Sequence, residues 1–267
     1  MVRFKILLAA LLSISVLSVA QRQSYKVLEN HSYYPTTNTD PYIRERCRLD
    51  VYYPVGKKNF RTVVWFHGGG LSGGEKHIPE GLKDKGIAVV AVNYRLTPRV
   101  KSPEYLRDAA AAVAWVMKNI ANFGGDSTRV FVSGHSAGGY LAAMIGLDKS
   151  WLKVHGVDAN QLAGIVPFSG HAITHFSIRD ERGIPGHRAV VDSLAPLYHV
   201  RPDAPRLVLI TGDRELEMLG RYEENAYLMR MMKVAGHTKT TLYELQGYDH
   251  GMVEPAIPIL LRIISND

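Results

Sequence analysis

The chain has 267 residues, of which 46% are hydrophobic and 21% charged, with a formal net charge of +7 and one cysteine, Cys47. That length suits one α/β domain with a sizeable core. A single thiol cannot form an internal disulfide, so Cys47 reads as a small buried apolar residue. The positive balance comes without a basic run or interleaved aromatic groove, which argues against a nucleic-acid partner and reads as solubility.

In chain order, residues 1–20 stand apart. Arg3 and Lys5 make a positive start, Ile6 to Leu17 an apolar core, and Ser18-Val19-Ala20 a small-residue cleavage site. This pattern predicts a secretory signal peptide, a mature chain of 21–267, and a periplasmic or secreted location with no stable membrane association after cleavage. The apolar run is short and wrongly flanked for a membrane span. Removing it would also take away two positive charges and no acid, leaving a mildly basic domain.

Tyr25 to Leu28 and Cys47 to Tyr53 read as antiparallel edge strands. Residues 62–67, Ile87 to Tyr94, Arg129 to Ser133, Leu162 to Phe168, Arg206 to Ile210 and Thr240 to Leu245 are apolar runs of strand length that alternate with helical patterns. The clearest helix is Pro103 to Asn122, with Leu106, Ala110, Val113, Trp115, Val116 and Ile120 on one broad face. Such alternation implies the α/β class: a mostly parallel sheet covered by helices on both faces.

Four of these strands run into motifs that carry chemistry. Thr62 to Phe66 leads into His67-Gly68-Gly69-Gly70, where tandem glycines let backbone N–H groups turn toward a ligand. Such donors, aimed at a developing oxyanion, are worth roughly 3 kcal/mol each. The expected donors are the N–H groups of Gly69, Gly70 and Ala137. Val130 to Ser133 leads into Gly134-His135-Ser136-Ala137-Gly138 and then the helical stretch Tyr140 to Ile145. That is G-x-S-x-G in strand-turn-helix context, a nucleophile elbow with Ser136 exposed beside a base, and glycine at 134 and 138 giving it room. Thr241 to Leu245 leads into Gly247-Tyr248-Asp249-His250-Gly251, before a final helix from about Glu254, and offers His250 as general base. Arg206 to Ile210 leads into Thr211-Gly212-Asp213-Arg214-Glu215-Leu216-Glu217, where three carboxylates compete to orient that histidine.

With Val92 to Leu96, Pro103 to Trp115 including Asp108, and Phe123-Gly124-Gly125-Asp126, these motifs resemble the α/β-hydrolase superfamily. Within it they resemble esterases related to hormone-sensitive lipase and to bacterial feruloyl and acetyl-xylan esterases, and the resemblance covers most of the chain. It implies the α/β-hydrolase fold with a small cap, and the order nucleophile, acid, histidine. In relatives with Gly-Asp-x-Asp after this strand, the acid is the residue three beyond the glycine, here Glu215. Asp213 is the alternative acid, and Glu217 reads as a helix first-turn carboxylate. Glutamate at 215 departs from the usual aspartate.

The remaining feature is residues 171–200, an insertion with His171, His175 and His187 among Gly, Pro and Arg. A metal at His171-x-x-x-His175 would need a helix and a carboxylate, and Gly170 with Thr174 favours a mobile loop; neither metal nor cofactor is expected. The insertion reads as a small cap or pocket wall, too short for a large lipase lid, with Tyr33, Tyr34 and Trp151 available as further apolar lining. The expected activity is serine carboxylic ester hydrolysis through an acyl-enzyme. The resemblance implies a small-molecule or polysaccharide substrate carrying short acyl groups, such as acetyl or feruloyl esters of plant polysaccharide. A formamidase acting on a small aromatic amide uses the same triad, and a catalytically silent hydrolase fold used for binding is the alternative from another class.

Overall fold

Consecutive residues of the central strands point into two different cores. A computed structural model of the protein describes residues 23–218 and 220–266; the segment read as a signal peptide lies outside them. Eight strands form one sheet: β1 (Tyr25–Ser32), β2 (Arg48–Pro54), β3 (Phe60–Phe66), β4 (Ala88–Val92), β5 (Gly125–His135), β6 (Gly164–Phe168), β7 (Arg206–Gly212) and β8 (Thr240–Leu245). Their order is β1-β2-β4-β3-β5-β6-β7-β8. Val64, Phe66, Val90, Val132, Ile165 and Leu209 face one core, while Val63, Trp65, Val89, Phe131, Val166 and Ile210 face the other. A two-residue side-chain period buried on both sides produces the continuous apolar runs of the sequence.

Helices cover both cores. α2 (Glu104–Asn119), α3 (Ala137–Leu147) and α6 (Arg221–Val234) lie on the first face, and α7 (Val253–Ser265) covers the second with Ala256, Ile257, Leu260, Ile263 and Ile264. Shorter helices are α1 (Pro41–Arg46), α4 (Lys149–Lys153) and α5 (Phe176–Glu181). Among the described residues no helix is long and apolar enough to cross a membrane.

The strands stand where the sequence places them, with two adjustments. β1 is an edge strand, but β2 is interior, pairing antiparallel with both β1 and β4. β5 starts at Gly125 and runs on to His135, so the sheet delivers its chain directly to the elbow.

The Asn93 to Leu96 stretch and Asp108 have a structural use. Arg95 donates through N, Nε and Nη2 to the fully buried Asp108 carboxylate at 2.8–3.0 Å, and the Tyr34 hydroxyl adds a further bond at 2.8 Å. A buried ion pair survives its desolvation cost only when its lone pairs are filled this way. It ties the end of β4 to α2. Cys47 is buried beside it, and burial pushes its thiol pKa up, so it is inert as the sequence suggests.

Candidate active site

β5 ends at His135 and α3 begins at Ala137, which leaves Ser136 alone to make the turn. Its backbone sits at φ +56°, ψ −115°, a conformation that costs a non-glycine residue about 1–3 kcal/mol and that marks functional turns. Ser136 occupies the N-cap position without spending its hydroxyl on a cap, and its N–H donates to Phe168 O at 2.8 Å. The flanking glycines serve a different purpose from the one the motif suggests. A Cβ at Gly134 would lie 2.6 Å from Phe66 O, and one at Gly138 only 2.1 Å from it. They let the end of β3 press against the elbow, so the two motifs are one packed unit.

The His67 to Gly70 turn therefore lies against the nucleophile. A Cβ on Gly68 would be 3.4 Å from Ser136 Cβ. Gly69 and Gly70 take φ of +108° and +62°, and the chain folds back so that Ser72 and Gly73 N–H groups donate to Gly69 O. The N–H groups of Gly69, Gly70 and Ala137 take no acceptor among the described residues. His67 anchors the turn: its ring stacks on Tyr94 at 4.4 Å, Arg46 donates to its Nε2 at 3.2 Å, and its Nδ1 hydrogen goes to Gly68 O at 2.7 Å. Burial lowers its pKa to about 4, so it stays neutral.

His250 follows β8 and meets the elbow through His135, the residue before Ser136. Its carbonyl accepts from His135 Nε2 at 2.8 Å, and the two rings lie 4.6 Å apart. Burial and the nearby His250 lower the His135 pKa to about 4, which removes it as a rival base. His250 Nδ1 lies 2.5 Å from a carboxylate oxygen, and that oxygen belongs to Glu217. The carboxylate can only accept, so a hydrogen sits on Nδ1, which leaves Nε2 as the ring nitrogen not engaged by Glu217.

Neither acid read from the sequence occupies this position. Glu215 is exposed, and its N–H donates to Asp213 Oδ1. Asp213 accepts that bond and one from Gly247 N–H at 2.8 Å, which orders the turn and joins it to the His250 loop. Glu217 N–H donates to Asp213 O at 2.7 Å, closing one helical turn that swings the Glu217 carboxylate back over Gly212 N–H. The acid position thus falls five residues beyond the glycine rather than three, and Glu217 precedes α6 instead of lying in its first turn.

The Glu217 side chain is fully buried. Burial alone would raise its pKa, but donors from His250, Ser169 and Met218 N–H outweigh it and hold the carboxyl at about 2. Ser169, which the sequence reading passed over, donates its hydroxyl to Glu217 Oε2 at 2.6 Å and lies 3.1 Å from His250 Nδ1. It directly follows β6, and no local motif distinguishes it.

The 171–200 segment walls the site and is tied down rather than loose. Thr174 N–H donates to Val190 O, and Arg179 Nη1 donates to Gly186 O and Arg188 O. Ser177 Oγ donates to Gly70 O, and the Phe176 ring would meet a Cβ on Gly70 at 3.1 Å. α5 starts only at Phe176, so His171 and His175 do not share a helical face. His171 pairs with Glu224 and Arg221, while His175 caps α5 by accepting from Ser177 N–H. Tyr34 and Trp151 line a separate groove of about 430 Å³ with Arg107, Val154 and His155, not the Ser136 site. Tyr33 is buried, its hydroxyl on Asn93 O.

A hydroxyl on a strained elbow, a free imidazole nitrogen and a turn of unpaired N–H groups make up the machinery of acyl transfer. The BD-FAE family model matches residues 49–171. The carboxylesterase NlhH of Mycobacterium tuberculosis is 42% identical over 101 residues, which is 36% of this chain and 32% of that enzyme, so the chain spans about a third of its length. Among solved structures, a truncated carbohydrate esterase from gut microbiota superposes with a TM-score of 0.72 at 19% identity, over 92% of this chain and 98% of that one. The propionate-bound Est2 esterase of Thermogutta terrifontis gives 0.66 at 22%, over 92% and 93%. The chain has the α/β-hydrolase fold, and the proteins it is similar to are esterases.

Proposed function

We propose that the protein is a serine carboxylic ester hydrolase that works through an acyl-enzyme on short-chain acyl esters. The observation that carries this reading is the bond from His250 Nδ1 to the buried Glu217 carboxylate, with the His250 carbonyl held by His135, the residue before Ser136 on the elbow. His250 Nε2 takes the Ser136 proton as the hydroxyl oxygen attacks the ester carbonyl. The tetrahedral oxyanion is held by N–H groups of Gly69, Gly70 and Ala137, and the imidazolium is stabilised by Glu217. His250 then protonates the leaving alcohol, and a water deprotonated by the same nitrogen releases the acid.

Substrate size follows from the wall. Phe176 is 36% exposed and rests on Gly70, so an acyl chain seated beside the oxyanion turn meets an aromatic ring early. The likeness to a carbohydrate esterase makes acetyl and feruloyl esters of plant polysaccharide the first substrates to try. Export to the periplasm or beyond, read from residues 1–20, belongs to the same proposal.

The test is hydrolysis of a p-nitrophenyl ester series from acetyl to decanoyl, alongside acetylated xylan, methyl ferulate and N-formylkynurenine. Expected is turnover strongest on acetyl to butyryl esters, with a serine-directed phosphonate labelling Ser136 alone. Turnover confined to N-formylkynurenine would replace the esterase with a formamidase, and failure of both turnover and labelling would leave a silent fold.

A further inference from the structure

The carboxylate that holds His250 is itself held from behind. Ser169 donates to Glu217 Oε2, and Ser169 sits at φ +48°, a left-handed conformation that a non-glycine residue keeps only when its surroundings impose it. Its N–H donates to Ile210 O at 2.7 Å, and its carbonyl accepts from Arg221 Nη1. Arg221 is the first residue of α6 and is only 2% exposed.

A buried guanidinium cannot shed its charge, so it must be compensated. Its Nη2 donates to His171 Nε2 at 3.0 Å, and His171 Nδ1 lies 2.8 Å from Glu224 Oε2. Arginine has donors only, so His171 Nε2 accepts and its hydrogen sits on Nδ1, pointing to Glu224. Burial lowers the His171 pKa, which keeps it in that neutral form. A neutral imidazole thus bridges a cation and an anion. Arg221 and Glu224 are three apart on α6, so one helical face presents both ends of the bridge to residues 169–172.

We propose that Arg221 is a positioning residue for acyl transfer: braced by His171 and Glu224, its guanidinium pins the strained turn at Ser169, whose hydroxyl aims Glu217 at His250. The histidine of the 171–175 spacing then belongs to the support of the acid, not to a metal. The inference rests on the serine hydrolase reading. Removing one partner of a buried ion pair leaves the other charge uncompensated and costs stability, so Arg221→Met is read per folded, titrated active site, and Ser169→Ala, which leaves the charges in place, is read beside it.

The experiment compares Arg221→Met, Arg221→Lys, Ser169→Ala and the Arg221→Met/Ser169→Ala double variant on p-nitrophenyl acetate, with kcat expressed per active site titrated by a serine-reactive phosphonate. Expected for Arg221→Met is a loss in kcat of about ten- to a hundredfold at a KM within about twofold, with Arg221→Lys recovering part of it and the double variant no worse than the worse single change. The far-downfield NMR resonance of the His250 Nδ1 proton should weaken or shift in Arg221→Met and not in Arg221→Lys. Wild-type kcat per titrated site in Arg221→Met, or a fully additive double variant, would overturn the proposal. Should Arg221→Met fail to fold, a wild-type kcat in Ser169→Ala does the same. Undiminished turnover in Ser136→Ala would instead remove the hydrolase reading, and the proton resonance would still report whether Arg221 orders the Glu217 to His250 bond.

Discussion

The two halves of the site are built on different principles. The half formed by the ends of β3 and β5 is fixed by backbone: glycines at 134 and 138 stand where a Cβ would strike Phe66 O, and Gly69 where it would strike Gly73 O at 2.4 Å. The half formed after β6, β7 and β8 is fixed by side chains reaching across loops, Glu217 to His250 and Ser169 to Glu217. A backbone constraint restricts residue identity at each position, and so appears in the sequence as a motif. A side-chain constraint restricts only where a carboxylate ends up.

The sharpest way to test the backbone-built half is to remove what it presents. Ser136→Ala leaves the turn, where the small side chain is no worse fitted to φ +56°, and should lower kcat by about three orders of magnitude or more with an unchanged melting curve, because the triad acts as a unit. Retained ester turnover would sink the mechanism.

In the side-chain half the three acids separate. Glu217→Gln should reduce kcat by roughly two to four orders of magnitude with little change in KM, since it removes an interaction with the imidazolium rather than with substrate. Glu215→Gln should match the parent. Asp213→Asn should keep kcat within a fewfold and lower the melting temperature by a few degrees, since Asp213 holds Gly247 N–H and Glu215 N–H. A collapse of kcat in Glu215→Gln alone would restore the spacing rule drawn from related sequences.

The contrast explains what could be read in advance. All eight strands, the elbow and the glycine turn follow from local apolar runs and glycine placement, and His250 stands out by its place on the loop after the last strand. Glu217 does not, because its position depends on one helical turn closing between Asp213 and Glu217, and three carboxylates within five residues look alike without that turn. The 171–200 segment misleads for a related reason. Gly170 with Thr174 reads as a mobile loop, yet the order of the segment comes from bonds such as Thr174 to Asp192, 18 residues apart.

Where the halves meet, Phe176 rests its ring on Gly70. Phe176→Ala should open that wall and raise kcat/KM for octanoyl relative to butyryl esters by about tenfold, given about 0.8 kcal/mol for each buried CH₂ that gains a pocket. An unchanged chain-length profile would place the limit elsewhere.

The smallest expected effect is on stability in acid, and it isolates Glu217 from catalysis altogether. The folded protein holds this carboxyl at about 2, below its ordinary value of 4.5, despite burial that pushes the other way. A depressed pKa means that the ionised form stabilises the fold; that contribution is complete above about 4.5 and is lost as pH falls toward 2. Glu217→Gln lacks it at every pH. The wild type should therefore melt higher than the variant at pH 6, with the difference shrinking between about 4.5 and 2 while the rest of the acid response is shared. A gap that persists undiminished at the acid end would mean that the Glu217 side chain holds the two loops by shape and neutral hydrogen bonds, and that its charge serves only His250.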